Sequence, residues 1–265
     1  MIELEKIGIS GKDRVTDLAS LNPVYCLDKE KIFEVAEKFS KFGFRSIPVV
    51  DKNRKLVGIV TISDILDAFL KKESFSQEIT KIMSREVVLA EEKDSIRFVL
   101  QKMKISKRGR LPVIQENSKL IGIVSETDFL HKARDFSAFE NIKIEEVMIR
   151  KPFCIFSRNS IIETIRIMVN AKYRRLPIIE NGKLVGYITS TRLFSKVFEN
   201  NFSPDFVRKP ITEIMTKSPI SVAKEESLKK VLEKMKENGI SSILITRNEK
   251  IEGIFTERDY INLLD

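Results

Sequence analysis

The sequence predicts a mixed α/β (α+β) chain built from four tandem copies of one βαββα unit. Two observations carry that prediction. First, a ten-residue phrase recurs four times, beginning at Lys55, Lys119, Lys183 and Lys250. It reads KLVGIVTISD, KLIGIVSETD, KLVGYITSTR and KIEGIFTERD, and its glycines Gly58, Gly122, Gly186 and Gly253 stand 64, 64 and 67 residues apart. A fixed period of this size is the mark of a repeat architecture. Second, the same order of patterns precedes each phrase: a short extended run, a helix and an apolar strand.

The opening strands read as Val24–Leu27 in repeat one and Ile220–Val222 in repeat four. A helix follows, because apolar residues then recur at i, i+3, i+4 and i+7. In repeat one these are Ile32, Val35, Ala36 and Phe39; in repeat four, Leu228, Val231, Leu232 and Met235. Gly43 and Gly239 suit left-handed caps at the ends of those helices. Short apolar strands come next at 47–50, 111–114, 176–179 and 243–246, the first three carrying Pro48, Pro112 and Pro177. A polar turn joins each to its glycine strand as a hairpin. A closing helix is expected from about Asp64, Asp128, Arg192 or Asp259.

A unit of about 60 residues buries its own surface poorly, so repeats one and two, and three and four, are expected to pair. This places one module at 1–135 (repeats about 11–70 and 77–133) and a second at 136–265 (repeats about 142–198 and 208–265), with the boundary in the linker 131–143. Nothing remains for a catalytic domain.

Hydrophobic residues make up 42% of the 265, enough for a real core. Charged residues reach 32%, above the usual quarter. With abundant Ile and Lys, little Gln and no Trp, the mix fits a protein of a hot environment that relies on surface ion pairs. The net charge of +9 favours anionic partners: nucleotide phosphates, nucleic acid or an acidic protein. Cys26 and Cys154 are the only cysteines and His131 the only histidine, which excludes a disulfide framework and a Cys/His zinc site. Both cysteines read as buried small hydrophobes at matching positions of repeats one and three. No 18-residue apolar run and no signal-type N-terminus is present, so a soluble, cytoplasmic protein is expected.

The proline strand, the glycine strand and the acid three residues after its final Ser/Thr together resemble the CBS domain, named after cystathionine β-synthase. The resemblance covers nearly the whole chain. Two such repeats form what is called a Bateman module, so the chain resembles two modules in a flat, disc-like arrangement. Four repeats in one chain is also the plan of the γ subunit of AMP-activated protein kinase and of stand-alone archaeal proteins similar to it. The resemblance implies a regulatory protein without catalytic activity that binds AMP, ADP or ATP, or alternatively S-adenosylmethionine or methylthioadenosine.

The site motif is Ser/Thr-x-x-Asp, which is also a helix capping box. The resemblance implies that Asp64, Asp128 and Asp259 hold a ribose. A carboxylate can accept both hydroxyls of a diol, and the flanking Thr61, Ser63, Ser125, Thr127, Thr256 and Arg258 can donate to phosphate. Basic residues ahead of the proline strand, Arg45, Arg108, Arg110, Arg174 and Arg175, suit phosphate through the guanidinium fork. Val24, Tyr25, Val87, Val88, Ile220 and Val222 are expected to floor an adenine pocket. Repeat three departs from the pattern, with Arg192 in place of the acid, and repeat four has Ser241 and Ser242 in place of arginines. At most three working sites are therefore expected. The basic clusters at 107–110 and 172–175 leave nucleic acid as a competing partner, although no DNA- or RNA-binding motif accompanies them. No metal or catalytic residue is expected. The further partners are an unidentified regulated protein and, as an open possibility, a second copy of the chain.

Overall fold

The computed structural model describes residues 1–265. Each repeat forms the expected unit. The first helices are Ile32–Phe42, Ile96–Ser106, Ile161–Asn170 and Leu228–Glu237. The hairpins pair Ser46–Val50 with Leu56–Thr61, Arg110–Ile114 with Leu120–Ser125, Arg175–Glu180 with Lys183–Thr189, and Ser242–Arg247 with Lys250–Thr256. All four hairpins shift register within two residues after the proline position, the bulge falling for instance between Val49 and Val50. Such a bulge increases the local twist of the sheet. The apolar positions read from periodicity in repeats one and four are all buried, and Gly43 and Gly239 have φ of 65° and 59°.

The closing helices are Ile62–Leu70, Glu126–Lys132, Ser190–Glu199 and Glu257–Leu263. They start two residues earlier than expected, because the Ser/Thr at the end of the glycine strand is itself the N-cap. This places the aspartate, or Arg192, at the third helical position.

The sheets contain a strand that the repeat pattern does not announce. Ser20–Leu21, near the start of repeat one, pairs with the glycine strand of repeat two at Ile123 and Gly122. Ser84, near the start of repeat two, bridges to Ile59 of repeat one. Ile149–Arg150 pairs likewise with repeat four, and Thr216–Lys217 with repeat three. Each repeat thus sends its leading segment to the sheet of its chain neighbour. The shared glycines mark these crossings. A Cβ on Gly58, Gly186 or Gly253 would lie 2.6, 2.3 or 2.4 Å from the sulfur of Met83, Met215 or Met148, well inside van der Waals contact.

The chain forms two compact units, one of Met1–Pro23, Val88–Pro152 and Ile220–Asp265, the other of Val24–Val87 and Phe153–Pro219. The first holds the bodies of repeats two and four, the second those of repeats one and three. In the first unit Phe129, Phe139, Phe255 and Tyr260 are fully buried, and Leu4 and Ile7 of the N-terminal segment join the same core. In the second, Phe39 and Phe194 pack edge-on at 6.0 Å, beside a cluster of Phe69, Phe75, Phe198 and Phe202. The stretch 131–143 is not a solvated linker. Ala133, Phe136 and Phe139 are buried, and the two rings lie against Tyr260 at 6.3 and 5.9 Å.

The two cysteines do not match. Strand register pairs Cys26 with Val49 but Ile155 with Ile178, each partner being the residue after the strand proline. Cys154 therefore corresponds to Tyr25, one position earlier and on the opposite face. Cys26 is buried, with its thiol pushed up to about 12, first by desolvation and then by the nearby charge of Glu30, whereas Cys154 is only half-buried.

Candidate functional site

All four repeats build one corner in the same way. The first amide of the closing helix donates to the carbonyl three residues before the proline position. These bonds are Ile62 to Arg45 (3.2 Å), Glu126 to Gly109 (3.0 Å), Ser190 to Arg174 (2.9 Å) and Glu257 to Ser241 (3.1 Å). The residue two before the proline then lies directly across the hairpin from the capping hydroxyl: Ser46 from Thr61, Arg110 from Ser125, Arg175 from Thr189 and Ser242 from Thr256. The hairpin thus brings the basic run, the hydroxyl and the helix start to one end of each sheet. Arg108 stands one residue further back, after Lys107, which caps the first helix at φ 55°.

The three aspartates share one geometry. Oδ2 of Asp64 accepts from the backbone N–H and the hydroxyl of Thr61, both at 2.7 Å. Oδ2 of Asp128 accepts from the same groups of Ser125 at 2.6 and 2.8 Å. Oδ2 of Asp259 accepts from those of Thr256 at 2.9 and 2.7 Å. A charge-assisted pair on a single oxygen fixes the carboxylate's orientation. All three carboxylates are half-buried, neither swung into solvent nor sealed in the core. Burial raises the Asp128 carboxyl above the usual range, and the bonds from Ser125 and the nearby charges of Arg110 and His131 oppose that shift. Desolvation is the largest of these effects, because burial takes the ionised carboxylate out of water.

In the first unit the residues between hydroxyl and acid make contacts that the motif does not show. The Thr127 hydroxyl donates to Glu257 Oε1 at 2.7 Å, and Arg258 Nε donates to Glu126 Oε1. Glu126 and Glu257 occupy equivalent first helical positions and are only 3% and 2% exposed, so the contacts are reciprocal between repeats two and four. Thr127 and Arg258 therefore have acidic partners within the protein, while Arg258 Nη2 is buried without one. A glutamate at this position in repeats two and four, against Ile62 and Ser190 in repeats one and three, was the available signal in the sequence. In the second unit Ile62 and Ser190 are buried there without charge, and Ser63 is half-buried.

Val24, Val88 and Ile220 stand two residues before the inward-facing strand residues Cys26, Ala90 and Val222. Val24, Tyr25, Val87 and Val88 are half-buried and Ile220 is exposed, but Val222 faces the core of the first unit. A lysine of the first helix holds the opening strand in two repeats. Lys38 donates to the Tyr25 carbonyl and Glu30, and Lys102 donates to the Leu89 carbonyl and Asp94. The Arg54 guanidinium lies over the Tyr25 ring at 5.3 Å.

Repeat three differs at two points. The Arg192 amide keeps the capping bond to Thr189 Oγ1 (3.2 Å), while its Nε donates to the Ile214 carbonyl. Phe153, at the position of Val24, stacks on Tyr173 with centroids 5.2 Å apart and planes 15° from parallel. No group of three or more His, Cys, Asp or Glu side chains is arranged to hold a metal, and no helix is long and apolar enough to cross a membrane.

Four βαββα repeats, each ending in the same capped acidic or basic corner, define a tandem-repeat protein of one domain type. The profile of the CBS domain matches residues 15–71, 79–135, 144–199 and 211–265, and the chain belongs to that family. Protein MJ1225 of Methanocaldococcus jannaschii is 28% identical over 244 residues, covering 82% of this chain and 86% of that one. The crystal structure of MJ1225, whose description relates it to γ-AMPK, matches with a TM-score of 0.83 at 24% identity, over 95% of this chain and 99% of that one. An uncharacterised 33.4 kDa protein of Thermofilum pendens is 24% identical over 88% of this chain and 85% of its own. An uncharacterised conserved protein of Pyrococcus horikoshii shares the fold with a TM-score of 0.64 at 21% identity, over 95% and 99% of the two chains.

Proposed function

We propose that this chain is a regulatory protein that binds adenosine compounds and acts on a partner protein without catalysing a reaction itself. The observation that supports this best is the threefold repetition of one half-buried carboxylate, oriented by two hydrogen bonds to one oxygen at Asp64, Asp128 and Asp259. A carboxylate accepts about four hydrogen bonds in all, so this arrangement suits reception of a vicinal diol. Arg45 and Arg110, each at the corner of its own repeat beside the capping hydroxyl, suit the phosphates. Repeat three is read as a non-binding repeat for nucleosides, since Arg192 replaces the acid and the Phe153–Tyr173 stack occupies the position of the base floor.

The functional pairs are repeats one with two and three with four, as modules 1–135 and 136–265. The exchange of leading segments between chain neighbours supports this pairing. Binding regulates a partner only if the ligand favours one arrangement of the chain over another. Calorimetric titration with AMP, ADP, ATP and S-adenosylmethionine tests the reading. Binding of at least one of them tighter than millimolar, with no more than three equivalents, is the expected result, and weaker binding by all four rejects it.

A further inference from the structure

The net positive charge is concentrated in the segment 153–219, which holds the body of repeat three and the lead-in to repeat four. Between residues 153 and 219 there are eleven basic and five acidic side chains, in a chain whose total excess is nine. Several of these cations meet at one end of one sheet. Arg175 starts its strand directly opposite Thr189, and the Arg174 carbonyl is tied to the first amide of the closing helix. Arg192 is anchored in the same corner, by its amide to Thr189 and by its Nε to the Ile214 carbonyl. That carbonyl belongs to the segment running into Thr216–Lys217, which pairs with the adjoining glycine strand at Tyr187 and Gly186. A cavity opens here, lined by Arg192, Thr212, Glu213, Met215, Thr216 and Lys217. It offers two cations and two hydroxyls against one carboxylate.

We propose that this cavity binds a phosphate group that carries no nucleoside. In the other repeats the third helical position presents a carboxylate, which repels an anion and accepts from a diol. Here it presents a guanidinium, whose fork donates in parallel to two oxygens of a phosphate. The tie from Nε to Ile214 fixes the plane of that fork in advance, which lowers the ordering cost of binding. No carboxylate stands at the third helical position to receive a ribose, and no aromatic ring lines the cavity to stack on a base, so the ligand is inorganic phosphate, pyrophosphate or a small phosphate ester. The proposal stands whether or not Asp64, Asp128 and Asp259 bind nucleosides.

Equilibrium dialysis of the full chain against radiolabelled pyrophosphate and against inorganic phosphate, at fixed ionic strength and with and without excess adenosine, tests it. One equivalent is expected to bind, with affinity falling at least tenfold in Arg192→Gln. Because Arg192 also bonds to Ile214, the exposed Lys217→Gln is measured in parallel, with an expected loss of threefold or more and unchanged circular dichroism. The Asp64→Asn/Asp128→Asn/Asp259→Asn variant is expected to retain the equivalent. Competition by glycerol phosphate but not by adenosine assigns the ligand to small phosphate esters, and competition by neither assigns it to the inorganic anions. Binding unaltered in both cation variants, binding lost in the triple aspartate variant, competition by adenosine, or no bound equivalent overturns the proposal.

Discussion

Neutralising Glu126 tests how tightly repeats two and four are joined in the first unit. Glu126→Gln keeps the shape and one carbonyl acceptor for Arg258 but removes a charge that is 3% exposed. Removing one partner of a buried ion pair costs about 3–5 kcal/mol when the other is left uncompensated. Two features reduce that figure here. The Arg258 side chain is 20% exposed, so water reaches part of it, and the glutamine oxygen still accepts a hydrogen bond from the guanidinium worth at least about 1 kcal/mol. A loss of about 2–3 kcal/mol is therefore expected. Urea unfolding of wild type, Glu126→Gln, Arg258→Met and the double variant gives the coupling between the pair, expected at about 2 kcal/mol. Hydrogen exchange should localise the weakening to the helices 126–132 and 257–263. A coupling below about 0.5 kcal/mol would show the pair to be incidental and refute the reasoning.

Asp128→Asn should separate stability from binding. Burial raises the folded pKa of Asp128, so the folded state holds that proton more tightly than the unfolded chain. The group's contribution is most favourable below the ordinary aspartate range and declines as pH rises through the raised value. At neutral pH the asparagine oxygen keeps both bonds from Ser125 without the buried charge. Melting temperature should then be equal to or above wild type at pH 7, with the difference shrinking near pH 4, while ligand binding at this corner is lost; a lower melting temperature at pH 7 contradicts the sign. Gly58→Ala should cost about 1–3 kcal/mol through overpacking, because its Cβ would meet the Ser84 carbonyl at 2.9 Å as well as Met83; Gly122→Ala, whose nearest neighbour lies at 3.2 Å, should cost less in the same thermal melts. Tyr260 carries a buried hydroxyl with no partner, so Tyr260→Phe should raise stability by about 1 kcal/mol in urea titration.

The repeats, hairpins and helix faces were legible because each rests on local periodicity. The capped aspartates were legible because hydroxyl and acid lie three residues apart in one helix turn. What the period hid is non-local. Met83, Met148 and Met215 sit in recurring Ile/Val-Met phrases near the start of repeats two, three and four, but their role appears only once each segment crosses to another sheet and rests on a glycine. The reciprocal contacts of Glu126 and Glu257 join helices more than a hundred residues apart. The stretch 131–143 reads as polar at His131-Lys132 and Arg134-Asp135, yet Phe136 and Phe139 draw it into the core. The cysteines were misaligned by one residue because an apolar run carries no register, which strand pairing alone supplies.

Calorimetric titration of wild-type chain and the Asp64→Asn/Asp128→Asn/Asp259→Asn variant with AMP, ADP and ATP bears most directly on the carboxylates as ribose receptors. Saturable heat from at least one nucleotide in the wild type, absent from a variant that remains folded, is the predicted outcome. Undiminished heat in the variant, or four equivalents in the wild type, would contradict the assignment.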